Sequence, residues 1–229
     1  MNEASPTAAP APDPAAAQPL VRALPRFTPE ALDALRRAWA MVPPGRGRLH
    51  VADVVLAVLG LDGAGARLVD VLAPGRLNAI EDRLRAVQAN LGGGAVFGEI
   101  DVPAGAEAGA GAPLTTMALD ATARTLFDDL ARRAGGTCGT KTLLIAEAGR
   151  PESALVASLQ ALGVGGAAAT IAPQLEALAK RIGDDARSPL LPVVFRPIGA
   201  LPGTGHEVDW SRWDGPIDRS GGVPVDQGA

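Results

Sequence analysis

The chain has 229 residues, a formal net charge of −4 and 47% hydrophobic residues, but only 3% aromatic residues. A core must therefore be built mainly from alanine, leucine and valine, which favours closely packed helices. The negative net charge excludes a general attraction to nucleic acid or to an anionic membrane surface. The single cysteine excludes an internal disulfide and fits a reducing compartment.

The first residues, MNEASPTAAPAPDPAAAQPL, lack the basic start and the uninterrupted apolar segment of a signal peptide. No run of eighteen apolar residues occurs, so no membrane span is expected. These features predict a cytoplasmic protein. Residues 1–25 are rich in alanine and proline and are predicted to form a disordered tail.

Residues 26–91 predict four helices in succession. The first lies in FTPEALDALRRAWAMV, with Thr28 as the expected N-cap and Pro29 as the first helical residue. Apolar residues then recur at helical spacing in HVADVVLAVLGL, AGARLVDVLAPG and RLNAIEDRLRAVQANLGGG.

Residues 92–117 are predicted to be a linker rich in glycine and alanine, although AVFGEIDV within it alternates weakly and could form a short strand. Residues 118–183 then repeat the four-helix pattern, with Asp120 as the first cap. The segments are LDATARTLFDDLARRAGG, GTKTLLIAEAG, PESALVASLQALGV and IAPQLEALAKRIG. Because such short apolar helices must be buried within or between the units, we predict an all-α fold of two four-helix repeats packed with pseudo-two-fold symmetry.

The stretch GGTCGTKTLLIAEA, residues 135–148, has a superficial likeness to a phosphate-binding loop. In the true motif the lysine directly follows the last glycine, whereas here Thr140 separates Gly139 from Lys141. The end of a helix, not a strand, precedes the stretch. We therefore expect no ATP site, and we predict that Thr140 caps a helix starting near Lys141.

The two runs of helices resemble the Clp-N domain (Clp repeat), the N-terminal domain of Clp-type AAA+ unfoldases. The family's unit opens with a phrase like F-T-P-x-A, which residues 27–31 match, and continues with G-T-E-H-L-L. Residues 139–144 match the second phrase, and residues 51–56 match it in degenerate form. The resemblance covers roughly residues 27–90 and 119–182 and includes none of the family's ATPase modules.

The resemblance implies a non-catalytic protein-binding module that acts as an adaptor, a decoy or a substrate-recruiting companion of a Clp protease. The alternative is a structural or immunity-type interaction protein that reuses the fold without a protease partner. The expected partners are a Clp unfoldase or protease, an adaptor or a substrate polypeptide, with no nucleic acid, membrane, ATP, metal or other cofactor. The motifs G-x-S-x-G and H-E-x-x-H are absent and only two histidines occur, so we expect no enzyme and no catalytic residue.

Candidate protein-binding residues are Asp53, Lys141, Trp210 and Trp213. In one branch of the family, the glutamate of each G-T-E-H phrase helps to bind phosphoarginine, and Asp53 and Lys141 stand at the matching positions. Asp53 could pair with a guanidinium, but Lys141 would repel one, so phosphoarginine binding is not expected. Alternatively, Asp53 is a helix-start residue favoured by the helix dipole and Lys141 is a solvated first-turn residue.

Residues 184–229 are predicted to form a tail rich in proline and glycine that carries Trp210 and Trp213. Tryptophan is a frequent hot-spot residue of interfaces, so this tail either folds back on the helical body or is a linear motif for another protein. Two residues beside predicted helix starts have open roles: Cys138 is either a reactive thiol or a packed residue, and His50 is a surface or capping residue.

Overall fold

Eight α-helices dominate the computed structural model, which describes residues 21–105, 113–133, 136–165, 167–183 and 189–199. The first four helices are α1 (Pro29–Ala40), α2 (Val51–Leu59), α3 (Ala64–Leu72) and α4 (Leu77–Ala89). The second four are α5 (Ala121–Arg132), α6 (Thr140–Ala148), α7 (Ala154–Ala161) and α8 (Ala168–Ala179). Seven of these helices lie within the segments where the hydrophobic pattern predicts them, and α8 begins three residues before its predicted segment.

The predicted start signals of the first helix in each run are confirmed. The Thr28 hydroxyl accepts a hydrogen bond from the Ala31 N–H at 3.2 Å, and Pro29 is the first residue of α1. The Asp120 carboxylate accepts one from the Ala123 N–H at 2.9 Å, at the start of α5. Both caps satisfy a backbone donor that the helix itself leaves unpaired.

The prediction of an all-α fold is wrong, because a four-stranded antiparallel sheet accompanies the helices. In spatial order its strands are β1 (Arg22–Ala23), β6 (Val194–Pro197), β3 (Gly98–Pro103) and β4 (Leu114–Leu119). A separate parallel pair is formed by β2 (Arg26–Phe27) and β5 (Thr137–Cys138). The described residues therefore have a mixed α/β fold.

The sheet is built from segments that the composition predicted to be tails or linker. β1 lies within the predicted N-terminal tail, β3 and most of β4 lie within the predicted linker, and β6 lies within the predicted C-terminal tail. The weak alternation around β3 did indicate a strand, since Ile100 and Val102 are both fully buried. However, Ile100 pairs with Phe195 of β6, and no local pattern in the sequence can identify so distant a partner.

The helices share one core centred on α2, all nine residues of which are buried. A helix that is apolar on every side needs neighbours all round. Helix α2 contacts α1, α3 and α4 of its own run, and α5, α6 and α7 of the second run. In addition, α3 packs against α6 and α8, and α4 packs against α7.

The sheet is joined to α5 by both apolar and polar contacts. Phe195 of β6 and Phe127 of α5 are fully buried, with ring centroids 5.9 Å apart. Arg124 of α5 donates a hydrogen bond to the Phe97 carbonyl, next to β3, at 2.7 Å. The sheet is therefore part of the same core as the helices.

Candidate functional site

Asp53 is fully buried in the first turn of α2 and holds that end of the helix together. Its Oδ2 accepts hydrogen bonds from Arg46 Nη2 at 2.6 Å and from the His50 backbone N–H at 2.8 Å. Its Oδ1 accepts one from Gln88 Nε2 at 2.7 Å. The structure therefore places Asp53 in the helix-start role, and contact with a partner protein would require these bonds to break.

Lys141 lies in the first turn of α6 but reaches across to the end of α8. Its Nζ donates hydrogen bonds to the carbonyls of Ala179 at 3.0 Å and of Ile182 at 2.7 Å. A positive charge is favourable there, because the last carbonyls of a helix carry partial negative charge. Lys141 is half-buried rather than simply solvated, and its predicted role in protein binding stays a prediction.

The prediction that Thr140 caps α6 is wrong, since the preceding glycine is the N-cap and Thr140 is the first helical residue. The Thr140 hydroxyl instead accepts a hydrogen bond from the Gly65 N–H of α3 at 2.9 Å. Counted from the helix starts, Asp53 of α2 corresponds to Thr142 of α6 and not to Lys141. The match of Asp53 with Lys141 is thus displaced by one residue.

Two of the predicted binding residues, Trp210 and Trp213, lie outside the described residues, and so does most of the predicted C-terminal tail. Their roles stay predictions. Cys138 is fully buried in β5, where it pairs with Phe27 of β2. Of the two roles considered from the sequence, a reactive thiol or a packed residue, Cys138 therefore has the second.

A cavity of about 710 Å³ opens between the two runs of helices. It is bounded by the starts of α2 and α5, the loop between α6 and α7, and the sides of α4, α7 and α8. Its apolar lining includes Val87, Ala154, Ala157, Ala169 and Ala172. A second hollow of about 330 Å³ shares Val87, Ala154 and Ala157 with it and continues to Arg83. Cavities of this size can hold a small molecule or a short peptide segment.

His50 and Thr122 form a polar margin of this cavity. His50 is the N-cap of α2, and its Nδ1 accepts a hydrogen bond from the Ala52 N–H at 3.0 Å, which leaves the ring proton on Nε2. Nε2 lies 3.9 Å from Oδ2 of Asp120. Burial lowers the pKa of His50, although Asp120 and Asp53 act in the opposite direction. Burial and the bond that Nδ1 accepts both favour the neutral form of His50.

Glu147, at the end of α6, fixes the start of α7 beside the cavity. Its Oε1 accepts a hydrogen bond from the Ala154 N–H at 2.7 Å, and its Oε2 accepts one from the Ser153 hydroxyl at 2.7 Å. Burial raises the pKa of Glu147, while Ser153 and Arg150 act to lower it. The Ser153 hydroxyl also accepts a hydrogen bond from the Val156 N–H at 3.0 Å. Among the residues that the structure describes, no histidine is bonded to this hydroxyl.

Arg150, in the loop between α6 and α7, is a buried cation in the cavity lining. It is 8% exposed, and its Nε and Nη1 have no hydrogen-bond partner among the described residues. Burial lowers the pKa of Arg150, whereas Glu147, Asp120 and Glu152 act to raise it. In the described part of the chain, none of these three carboxylates is within ion-pair distance of it. The cavity lining thus includes a buried arginine that has no carboxylate partner in the described chain.

Sequence reasoning drew attention to the start of α6, whereas this cavity lies at its other end. The only signal was the stretch GRPES, residues 149–153, which puts one arginine and a capping serine between two apolar helices. A single arginine in a short loop carries no periodic pattern, so its burial becomes visible only in the folded chain.

Comparison of the chain with models of known protein families gives no match, and comparison with curated proteins gives no similar protein. Within the described ranges, no helix is both long enough and apolar enough to span a bilayer. The same ranges contain no group of three histidine, cysteine or acidic side chains that could hold a metal ion. What the cavity can bind must therefore be judged from its shape and charge.

Proposed function

We propose that this chain is a non-catalytic, cytoplasmic polypeptide-binding module similar to the N-terminal domain of Clp unfoldases. In this role it is an adaptor, a decoy or a substrate-recruiting companion of a Clp protease. The observation that supports binding most is the cavity between the two runs of helices. Its alanine-rich lining lets a peptide backbone approach closely, and its few polar groups can fix the orientation of that peptide.

A second candidate function is that of a structural or immunity-type interaction protein without a protease partner. The sheet favours this alternative, because β4 is an edge strand. Leu114, at the start of β4, is 57% exposed. An exposed edge offers unpaired backbone groups to a strand of another chain.

The first proposal can be tested by surface plasmon resonance with the immobilised chain. The analytes are a purified Clp unfoldase, its peptidase ring and a chemically unfolded polypeptide. Ala157→Trp fills the cavity from an exposed position on α7 and should weaken binding about tenfold or more, or about 1.4 kcal/mol. Ala40→Trp is the matched control, since Ala40 is exposed on α1 and does not line the cavity.

The proposal is contradicted if none of the three analytes binds, or if binding survives Ala157→Trp unchanged. The second candidate predicts a different pattern. Binding would then be insensitive to Ala157→Trp but would be weakened by a proline substitution at Thr116 in β4, which removes a backbone donor from that strand.

A further inference from the structure

Arg150 has no ion-pair partner within the described chain. Two other arginines of similar burial each bond a carboxylate: Arg46 Nη2 lies 2.6 Å from Asp53, and Arg124 Nε lies 2.8 Å from Asp128. The Nε and Nη1 of Arg150, like those of Arg46, have no acceptor among the described residues. Arg150 differs from both other arginines because none of its nitrogens bonds a carboxylate in the described chain. An arginine keeps its proton in proteins, and a buried charge without a partner is strongly destabilising. A carboxylate that entered the cavity lined by Arg150 would supply a counter-charge for it.

The acidic residues near Arg150 either bond other groups or are exposed. Glu147 uses both oxygens to hold the start of α7. Oδ1 of Asp120 accepts from the Ala123 N–H at 2.9 Å, which caps α5. Glu152 is exposed. These carboxylates act on the guanidinium without bonding it. Their negative charge disfavours a doubly charged anion in the cavity more than a singly charged one.

We propose that Arg150 receives the side-chain carboxylate of an aspartate or glutamate within the bound polypeptide. This inference rests on the proposed polypeptide-binding function. The small or apolar residues that flank the acidic residue would lie on Val87, Ala154 and Ala157, which line both the cavity and the adjoining hollow. Because the hollow continues along α4 and α7, the segment has room to extend beyond its acidic residue, which favours an internal residue over a chain end.

Fluorescence anisotropy with end-blocked nonapeptides of alanine and valine tests this inference. One peptide carries a central glutamate and its partner a central glutamine, and we expect the glutamate peptide to bind the wild-type chain about tenfold more tightly or better. Arg150→Gln should remove this preference, and Arg150→Lys should restore part of it. Arg67→Gln should keep it, because Arg67 is exposed on α3 and does not line the cavity.

Four results would overturn the inference. Equal binding of the two peptides to the wild-type chain would exclude a carboxylate site, and the proposed function would still stand if Ala157→Trp weakened both peptides. Tighter binding of a central phosphoserine would exclude a preference for a single charge. A glutamine peptide with a free carboxyl terminus that matched the glutamate peptide would show recognition of a chain end. If none of these peptides binds, the inference fails. The proposed function fails with it only if the unfolded polypeptide, the Clp unfoldase and the peptidase ring also do not bind.

Discussion

His50 makes the start of α2 sensitive to protonation. Its Nδ1 accepts a hydrogen bond from the Ala52 N–H, and Asp53 accepts one from the backbone N–H of His50, which together form a capping box. A proton on Nδ1 would turn this acceptor into a donor and break the first of these bonds. Burial also disfavours the protonated ring and lowers the pKa of His50.

We expect the wild-type chain to lose more stability than His50→Asn when the pH falls from 7 to 5. The pKa of His50 is lower in the folded than in the unfolded state. The unfolded chain therefore takes up the proton first, and stability that is present above about pH 6.5 is lost as the pH falls. Asparagine keeps a capping acceptor but does not titrate. Urea unfolding at both pH values, followed by circular dichroism, measures the difference.

Glu147 is the main complication in this experiment, because burial raises its pKa and its contribution to stability increases as the pH falls. Both proteins contain Glu147 and also His206, so the comparison between them isolates His50. If the two proteins lost the same free energy of unfolding between pH 7 and pH 5, the titration of His50 would not contribute.

The sequence predicted side-chain hydrogen bonds where the donor and the acceptor lie close together in the chain. Thr28 and Asp120 bond backbone donors three residues away, so a local pattern contains the whole interaction. Lys141 bonds carbonyls beyond α7, and Arg150 lines a cavity that residues from both runs of helices bound. The local sequence contains only one side of these arrangements, which is why the candidate cavity was missed.

Among the helices, Gly65 allows α3 to approach α6 and α2 closely. A Cβ atom at this position would lie 2.6 Å from Val58 Cγ1 and 3.0 Å from Thr140 Cβ. The Gly65 N–H also donates to the Thr140 hydroxyl at 2.9 Å. At Gly65, the backbone of α3 therefore packs directly against α2 and α6.

Gly65→Ala should lower the free energy of unfolding by about 1–3 kcal/mol, the usual result of overpacking a core. The loss should appear although alanine favours a helix by about 1 kcal/mol relative to glycine. Urea unfolding gives the value, and Gly45→Ala is the control because a Cβ there has no atom within 4 Å. In a Val58→Ala background the loss should shrink, since the closest atom is then removed. An unchanged loss would show that Val58 is not the cause.

The periodicity of the hydrophobic residues was sufficient to predict the helices of the described chain, but it was insufficient to predict the strands. Each helix contains at least two turns of apolar repeat, which a local pattern can reveal. β2 and β5 have only two residues each, too few to show an alternation. β6 lies among prolines, and its partners β1 and β3 are distant in the chain.

In the whole molecule, β6 links regions that are far apart in the sequence. It lies between β1 and β3, with Phe195 paired to Arg22 on one side and to Ile100 on the other. The Phe195 ring also contacts Phe127 of α5. Composition predicted tails at both ends of the chain, because the two repeats of helices accounted for most of the apolar residues. Instead, segments of both predicted tails help to complete the core.

Phe195→Ala should therefore destabilise the helices as well as the sheet, by about 3–5 kcal/mol, the typical cost of removing a fully buried phenylalanine side chain. Hydrogen exchange of backbone amides in α2 and β3 should show the same loss of protection in both, because one cooperative unit exchanges through one global opening. Phe195→Leu, which keeps most of the buried volume, should have a smaller effect. Loss of protection confined to β3 would mean that the sheet opens independently and that the helices form a core of their own.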